Sequence, residues 1–219
     1  DENCLTAAVD SPCPIKKVGF GEDCDFRIIE VEYVESGSRF TINGERYEVP
    51  MVGEFNVRNA AMAVCSARFA GLSPDQICQG LMSFEGIARR QQELGEVRGV
   101  TVIDDFAHHP TAIGLAIDGL RQKYPSRRLW VLFEPRSNTT RRSIFQDDLA
   151  EALQKADLVV IPSIPDPEKF AEDDRLDPDK LVEEIKSKGT EAWYLGEVDE
   201  IVSHVSGIAR EGDVIAVLS

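Results

Sequence analysis

From the region of Ile103 onward the chain repeats one pattern: a short apolar run, a polar loop, an amphipathic stretch, and a Gly or Pro stop. The apolar runs are "TVIDDFA", "RLWVLFEP", "DLVVIPS", "EAWYLG" and "DVIAVLS". Each is nearly continuous in apolar character, as expected of a strand covered on both faces. Between them, Pro110 to Tyr124, Ser143 to Ala156, Asp179 to Lys188 and Val198 to Ala209 place apolar residues at helical spacing, for example Ile113, Ile117 and Leu120 in the first. Strand and helix therefore alternate, and the pattern predicts an α/β, doubly wound, mostly parallel sheet with right-handed crossovers. The segment "ELGEVRGVTVIDD" predicts one further strand before the first run, turning at "RG".

The first third reads differently. "DFRIIEVEYVESGSRFTINGERYEVPMVG" alternates apolar with polar residues and carries "SGS" and "NGE" turn signals, which predicts a small antiparallel meander. Two helices follow: Ala-rich "NVRNAAMAVCSARFAGL", stopped at Gly71, and "SPDQICQGLMSF", opened by a Ser cap with Pro74 in the first turn. The change of character near Phe84 to Ile87 divides the chain into segments 1–86 and 87–219.

Charge limits the partners. With 24 basic and 39 acidic residues among 219, the net charge of −15 repels nucleic acid and anionic membranes. A nucleotide is still admissible, because a few Arg side chains and backbone N–H groups in one cleft suffice for a phosphate. The five cysteines are odd in number and contain no C-x-x-C pair, so neither a disulfide framework nor a zinc ribbon is expected. Reduced thiols, the lack of a long apolar run and the acidic start "DENCLTAAVD" point to a cytoplasmic protein. That start carries no Met and opens as if inside a domain, so a piece of a longer protein is expected.

In an open parallel sheet ligands bind beyond the carboxyl ends of the strands, and three of those ends are unusually polar here: "DDFAHHP", "EPRSNTTRR" and "PSIPDPEKF". For Asp104, Asp105, His108 and His109 four readings are open: metal ligands, general acid/base groups, ribose contacts, or a helix cap without chemistry. His204 lies in a distant helical segment, so three converging metal ligands are not expected. Arg136, Arg141 and Arg142, near an expected helix start, suit a carboxylate or phosphate, the alternative being a solvated basic loop. Arg89 and Arg90 form a second pair, readable by themselves as surface charge. Asn56 and Asn59, three apart at a helix start, are as compatible with first-turn polar residues as with a function.

Taken in order, "GEFNVRNAAMA", "FEGIARRQQ", "VIDDFAHHPTAI" and "FEPRSNTTRR" resemble the Mur ligases, and within them the murein peptide ligase branch. The resemblance implies an ATP-dependent, amide-forming ligase that joins a murein tripeptide (L-Ala-γ-D-Glu-meso-diaminopimelate) to UDP-N-acetylmuramate in cell-wall recycling. It implies that residues 1–86 are the end of the central ATPase domain and 87–219 a Rossmann-like C-terminal domain, the remaining domains being partners in the same chain. Asn56 and Asn59 would approach the adenine, Arg90 the ATP phosphates, and Asp105 the ribose hydroxyls. His108 and Asp104 would order the loop or serve the reaction, His108 as a base for the attacking amine. Arg136, Ser137, Asn138 and His109 would contact the peptide. ATP and Mg2+ would be held mainly by the part of the central domain that precedes this chain, since no G-x-x-x-x-G-K-[ST] segment occurs here, and the chain alone is expected to be inactive. Phe55 stands where many relatives carry His, and the last strand stops at "VLS" where relatives continue. Two alternatives stay open: another ligase of the superfamily, such as a muramate–alanine or folylpolyglutamate ligase, and a non-catalytic nucleotide- or peptide-binding module.

Overall fold

The computed structural model describes residues 2–34 and 36–219, and within the first helix no side chain before Cys4. The chain divides into two compact units, Asp1–Glu85 and Gly86–Ser219.

The first unit opens with α1 (Glu2–Ala8) and holds the strands β1 (Val18–Gly19), β2 (Phe26–Val34), β3 (Gly37–Ile42) and β4 (Glu45–Val49) in one sheet of that order. β2, β3 and β4 form the expected antiparallel meander, and the short β1 pairs parallel to β2. The "NG" turn between β3 and β4 works because Asn43 and Gly44 both take positive φ, 51° and 82°, which matches the twist of the strands it joins. The "SGS" signal begins beside Glu35, which lies outside the described residues. α2 (Glu54–Phe69) and α3 (Pro74–Met82) follow. α3 starts where its sequence says it should: Ser73 Oγ accepts from the Gln76 N–H and Gln76 Oε1 accepts from the Ser73 N–H, a reciprocal cap. Phe40, Ile42, Tyr47, Val57 and Val64 are the centre of this unit's core.

The second unit runs β5 (Gln92–Val97), β6 (Val100–Asp105), α4 (Pro110–Lys123), β7 (Leu129–Phe133), α5 (Gln146–Leu153), β8 (Leu158–Pro162), α6 (Pro178–Ser187), β9 (Glu191–Leu195), α7 (Val198–Ile208) and β10 (Val214–Leu218). Its six strands lie in the order β5-β6-β10-β7-β8-β9. β6, β10, β7, β8 and β9 are mutually parallel; β5 is antiparallel to β6 through a turn in which Arg98 and Gly99 take φ of 52° and 75°. The last strand of the chain is thus inserted between the first two parallel runs, an order that local sequence pattern does not encode.

Alternation along the strands builds two cores. Ile103, Val131, Phe133, Val159, Ile161, Ala216 and Leu218 pack with Ile113, Ile117, Leu149, Leu153, Leu181 and Ile185 from α4, α5 and α6. Trp130, Leu158, Val160 and Ile215 pack on the opposite face with Val205 of α7. A sheet buried on both faces explains why its strands read as unbroken apolar runs. One difference from the sequence expectation concerns α5. The segment from Ser143 begins as a single 3-10 turn, Ser143–Phe145, and α5 itself starts at Gln146.

Candidate functional site

Parallel pairing aligns the carboxyl ends of the central strands, with Asp105 opposite Leu218 and Leu218 opposite Phe133. The loops after β6, β7 and β8 therefore leave one edge of the sheet. Contacts that join them include the His109 and Phe145 rings, which meet edge to face at 4.8 Å, and Arg141 Nη1, which donates to the Pro165 carbonyl at 2.9 Å.

The four residues of the "DDFAHH" motif do not converge. The strand pleat sends Asp105 to the same face as Ile103 and Asp104 to the other. Asp105 is 4% exposed, and its two oxygens accept the N–H groups of Gln91 and Ala107, each at 2.8 Å. Burial pushes the Asp105 carboxyl above the ordinary aspartate range; the two N–H groups and the charge of Arg90 act in the opposite direction, and the charge of Asp104 adds to the rise. Asp104 faces Arg89 Nε at 3.3 Å. His108 Nδ1 lies 3.0 Å from the Phe106 carbonyl, with its ring edge-on to Phe106 at 4.9 Å. His109 is the N-cap of α4, its Nδ1 accepting the Thr111 N–H at 3.3 Å. His109 therefore caps α4 through one ring nitrogen. Among the described residues, no three His, Cys, Asp or Glu side chains gather in a way that could hold a metal ion.

Arg89 and Gln91 take left-handed φ of 60° and 47°, which is unfavourable for side chains with a Cβ. Hydrogen bonds over-determine the segment. The Arg89 N–H donates to Gln92 Oε1, the Arg89 carbonyl accepts from the Phe106 N–H, and the Gln91 N–H is held by Asp105. The result is a rigid presentation of two guanidinium groups beside one aromatic ring: Arg89 and Arg90 lie 4.9 and 5.4 Å from the Phe106 centroid. Arg89 Nη2 also donates to the Ser219 hydroxyl and carbonyl. Arg90 is exposed, so its positive charge is available to an anion. Gln91 and Phe106 were not singled out from sequence; the signal for Phe106 was its place between the acidic pair and the histidines.

The three arginines after β7 have unequal roles. Arg136 is 63% exposed and lies only loosely, at 3.7 Å, from Glu134. Arg141 is buried: Nη2 donates to Asn138 Oδ1 at 2.7 Å, Nη1 to the Pro165 carbonyl, and the guanidinium stacks on Phe170. Arg142 pairs with Asp174 at 2.8 Å. Among the three, Arg136 lacks a close ion pair, whereas Arg141 and Arg142 help to hold the loops together, and Arg142 directly precedes the 3-10 turn that leads into α5. Ser137 Oγ accepts the Thr140 N–H at 3.1 Å and forms a tight local turn that fixes the base of this loop. In the first unit, Asn56 is buried with Nδ2 donating to the Val52 carbonyl at 2.8 Å, while Asn59 is exposed one turn on.

The profile of the "Mur ligase, glutamate ligase domain" family matches residues 89–219, which is the greater part of the chain. The chain belongs to the Mur ligase family. It is 38% identical over 170 residues to the UDP-N-acetylmuramate–L-alanyl-γ-D-glutamyl-meso-2,6-diaminoheptandioate ligase of Escherichia coli, covering 77% of this chain and 35% of that protein. It is 26% identical over 216 residues to the UDP-N-acetylmuramate–L-alanine ligase of Desulfitobacterium hafniense, covering 96% of this chain and 48% of that protein. Among solved structures, the murein peptide ligase of Psychrobacter arcticus superposes with a TM-score of 0.61 at 31% identity, over 92% of this chain and 42% of that one. This Mur ligase chain spans between a third and a half of the curated relatives it matches. No helix among its described residues is long and apolar enough to cross a membrane.

Proposed function

We propose that this chain is part of an ATP-dependent ligase that joins a murein tripeptide to UDP-N-acetylmuramate, with residues 1–86 closing the central ATPase domain and 87–219 forming the C-terminal domain of a cytoplasmic enzyme. The observation that supports the reading is where the charged side chains stand along one sheet edge. Arg90 and Asp105 stand on the β6 side, and the exposed Arg136, with Ser137 and Asn138, stands on the β7 side. The residues present suit a nucleotide better than a metal. An exposed guanidinium beside an aromatic ring fits phosphate, whereas the described carboxylates do not gather for Mg2+, which would be held outside this chain.

ATP, when bound, supplies the phosphoryl group that activates the muramate carboxylate. The residues of this chain then bind and orient. Arg90 neutralises phosphate, Asp105 receives the ribose hydroxyls, and Asn56 and Asn59 border the base. Arg136, Ser137, Asn138 and His109 hold the peptide so that its amine faces the acyl phosphate. Attack forms the amide and releases phosphate. The proton leaving the amine goes to His108, whose Nδ1 is tied toward the Phe106 carbonyl and whose ring stands edge-on to Phe106, the ring that Arg89, paired with Asp104, also covers.

The test is a ligation assay on the full-length protein with tripeptide and with L-alanine as alternative acceptors. Tripeptide-dependent ADP release supports the proposal. Turnover with L-alanine alone supports the second reading, favoured by the 26%-identical relative that covers nearly the whole chain. Nucleotide binding without turnover leaves the non-catalytic module. The 219-residue chain by itself should release no phosphate from ATP.

A further inference from the structure

Phe106 follows the acidic pair that ends β6, and its side chain is 40% exposed. Three side chains that carry or can take a positive charge meet its ring. The Arg89 and Arg90 guanidinium carbons lie 4.9 and 5.4 Å from the ring centroid, and the His108 imidazole stands edge-on to it at 4.9 Å. The main chain fixes where the ring can be: the Phe106 N–H donates to the Arg89 carbonyl at 2.8 Å, and the Phe106 carbonyl lies 3.0 Å from His108 Nδ1. Substitution at this position therefore removes the ring and leaves both main-chain contacts available. The three neighbours depend on the ring unequally. Arg89 is also held by Asp104 at 3.3 Å and by the hydroxyl and carbonyl of Ser219. His108 keeps its contact with the Phe106 carbonyl whatever side chain that residue bears. Arg90 is different. Its main chain is fixed, with the N–H donating to the Ile87 carbonyl at 3.1 Å and left-handed residues on either side, but its guanidinium makes no hydrogen bond or ion pair among the described residues. An arginine head without such a restraint has to be ordered by its ligand, at the expense of affinity.

We propose that Phe106 is a positioning residue whose aromatic ring holds the Arg90 guanidinium ready for an anion. The negative face of the ring attracts a guanidinium, and an aliphatic side chain of similar volume has no such face. The position therefore requires aromatic character and not bulk alone. Without the ring the Arg90 head returns to its free rotamers, and the lost attraction and the added ordering together weaken anion binding by about threefold to tenfold. Because the same ring meets His108, one side chain sets the placement of both the anion-binding guanidinium and the imidazole. That the anion is the polyphosphate of ATP rests on the ligase reading above; that the ring orders Arg90 does not.

The experiment compares the wild-type 219-residue chain with Phe106→Leu, Phe106→Tyr and Arg90→Gln, each checked by thermal melting. The readouts are the arginine Nε–H resonances, which a nearby ring displaces, and calorimetric binding of inorganic tripolyphosphate at low salt. In the wild type the Arg89 and Arg90 signals should both be displaced from the free-arginine position. Phe106→Leu should return Arg90 to that position, leave Arg89 displaced, and weaken tripolyphosphate by about threefold to tenfold. Phe106→Tyr should match the wild type, and Arg90→Gln should bind no better than Phe106→Leu. If Phe106→Leu does not fold, Phe106→Met takes its place. A wild-type Arg90 signal already at the free-arginine position, no tripolyphosphate binding by the wild type, equal binding by Phe106→Leu, or a Tyr variant as weak as Leu overturns the proposal. In the full-length protein, Phe106→Leu should raise the ATP KM by a similar factor and leave the peptide KM within about twofold. A fall in kcat with the ATP KM unchanged would leave the ligase standing and remove the ring from nucleotide binding. Failure of the ligase reading looks different: the arginine signals and tripolyphosphate affinities would follow the expected pattern while the full-length protein formed no amide with any acceptor.

Discussion

Asp104 and Asp105 are neighbours in sequence whose carboxylates serve opposite faces of β6. Asp104 meets the Arg89 guanidinium at 3.3 Å, while Asp105, buried, closes on the N–H groups of Gln91 and Ala107. The second arrangement holds the left-handed turn that displays Arg90. The two aspartates should therefore respond differently to substitution.

Asp105→Ala orphans two N–H groups, each costing roughly 1–3 kcal/mol where buried, so the second unit should melt earlier. In the full-length protein the ATP KM should rise tenfold or more, with the peptide KM little changed at saturating ATP. Asp104→Ala should leave the ATP KM within a fewfold. Because burial raises the pKa of Asp105, its protonation, and with it the loss of nucleotide affinity on acidification, should begin above the pH at which an ordinary aspartate titrates. ATP KM measured against pH for wild type and Asp105→Asn checks this; an acid limb that persists unchanged in the Asn variant would assign it to another group.

Arg136→Ala removes a side chain that is 63% exposed with one loose ion pair, so stability should change by less than about 0.5 kcal/mol. If Arg136 holds a peptide carboxylate, the loss of a charged hydrogen bond, about 1.5–3 kcal/mol, should appear as a tenfold to hundredfold loss in kcat/KM for the peptide. Steady-state kinetics with each substrate varied will separate this from an effect on ATP, which would move the assignment.

Asp213 anchors the opposite end of the sheet, accepting from Arg128 at 2.7 and 3.0 Å and from Trp130 Nε1 at 2.9 Å. Burial alone would raise its pKa, but the hydrogen bonds of Arg128, the Arg210 N–H and Trp130 outweigh that and hold it below the ordinary range. The stabilisation is accordingly present above the unfolded-state pKa, near about 3.9, and is lost as pH falls through the lower folded value. Asp213→Asn should cost about 3 kcal/mol by leaving Arg128 unpaired, and should flatten the acid limb of stability measured by urea unfolding between neutral pH and the lowest pH tolerated.

Gly37, at φ 153°, has the Val49 carbonyl oxygen 2.1 Å from where a Cβ would stand. Gly37→Ala must therefore push β3 from β4, at a cost of about 3 kcal/mol or more. Amide exchange at Phe40, Ile42 and Tyr47 should accelerate strongly, and protection that stays at the wild-type level would show that β4 can shift without loss.

Much of the architecture was legible because it is written locally. The period of apolar residues identifies strand or helix whatever lies nearby, and Asn43-Gly44 and Arg98-Gly99 mark turns because the backbone there needs positive φ. Ser73 with Gln76 likewise marks a helix start within four residues. The polar carboxyl edge was readable for the same reason, as a set of loops that each follow an apolar run. What the tertiary structure alone decided concerns partners far apart in sequence. β10 enters between β6 and β7 through hydrogen bonds that leave no trace in its own five residues. Asp104 and Asp105 part company through the pleat, and Gln91 becomes essential to Asp105 through its backbone, which carries no residue-specific signal. Arg136 and Arg141 have the same chemistry, yet Arg141 is buried by Pro165 and Phe170, residues beyond the whole of α5 and β8, while Arg136 meets solvent. Burial and long-range pairing are properties of packed pairs, so residue type alone could nominate these side chains but could not assign their roles.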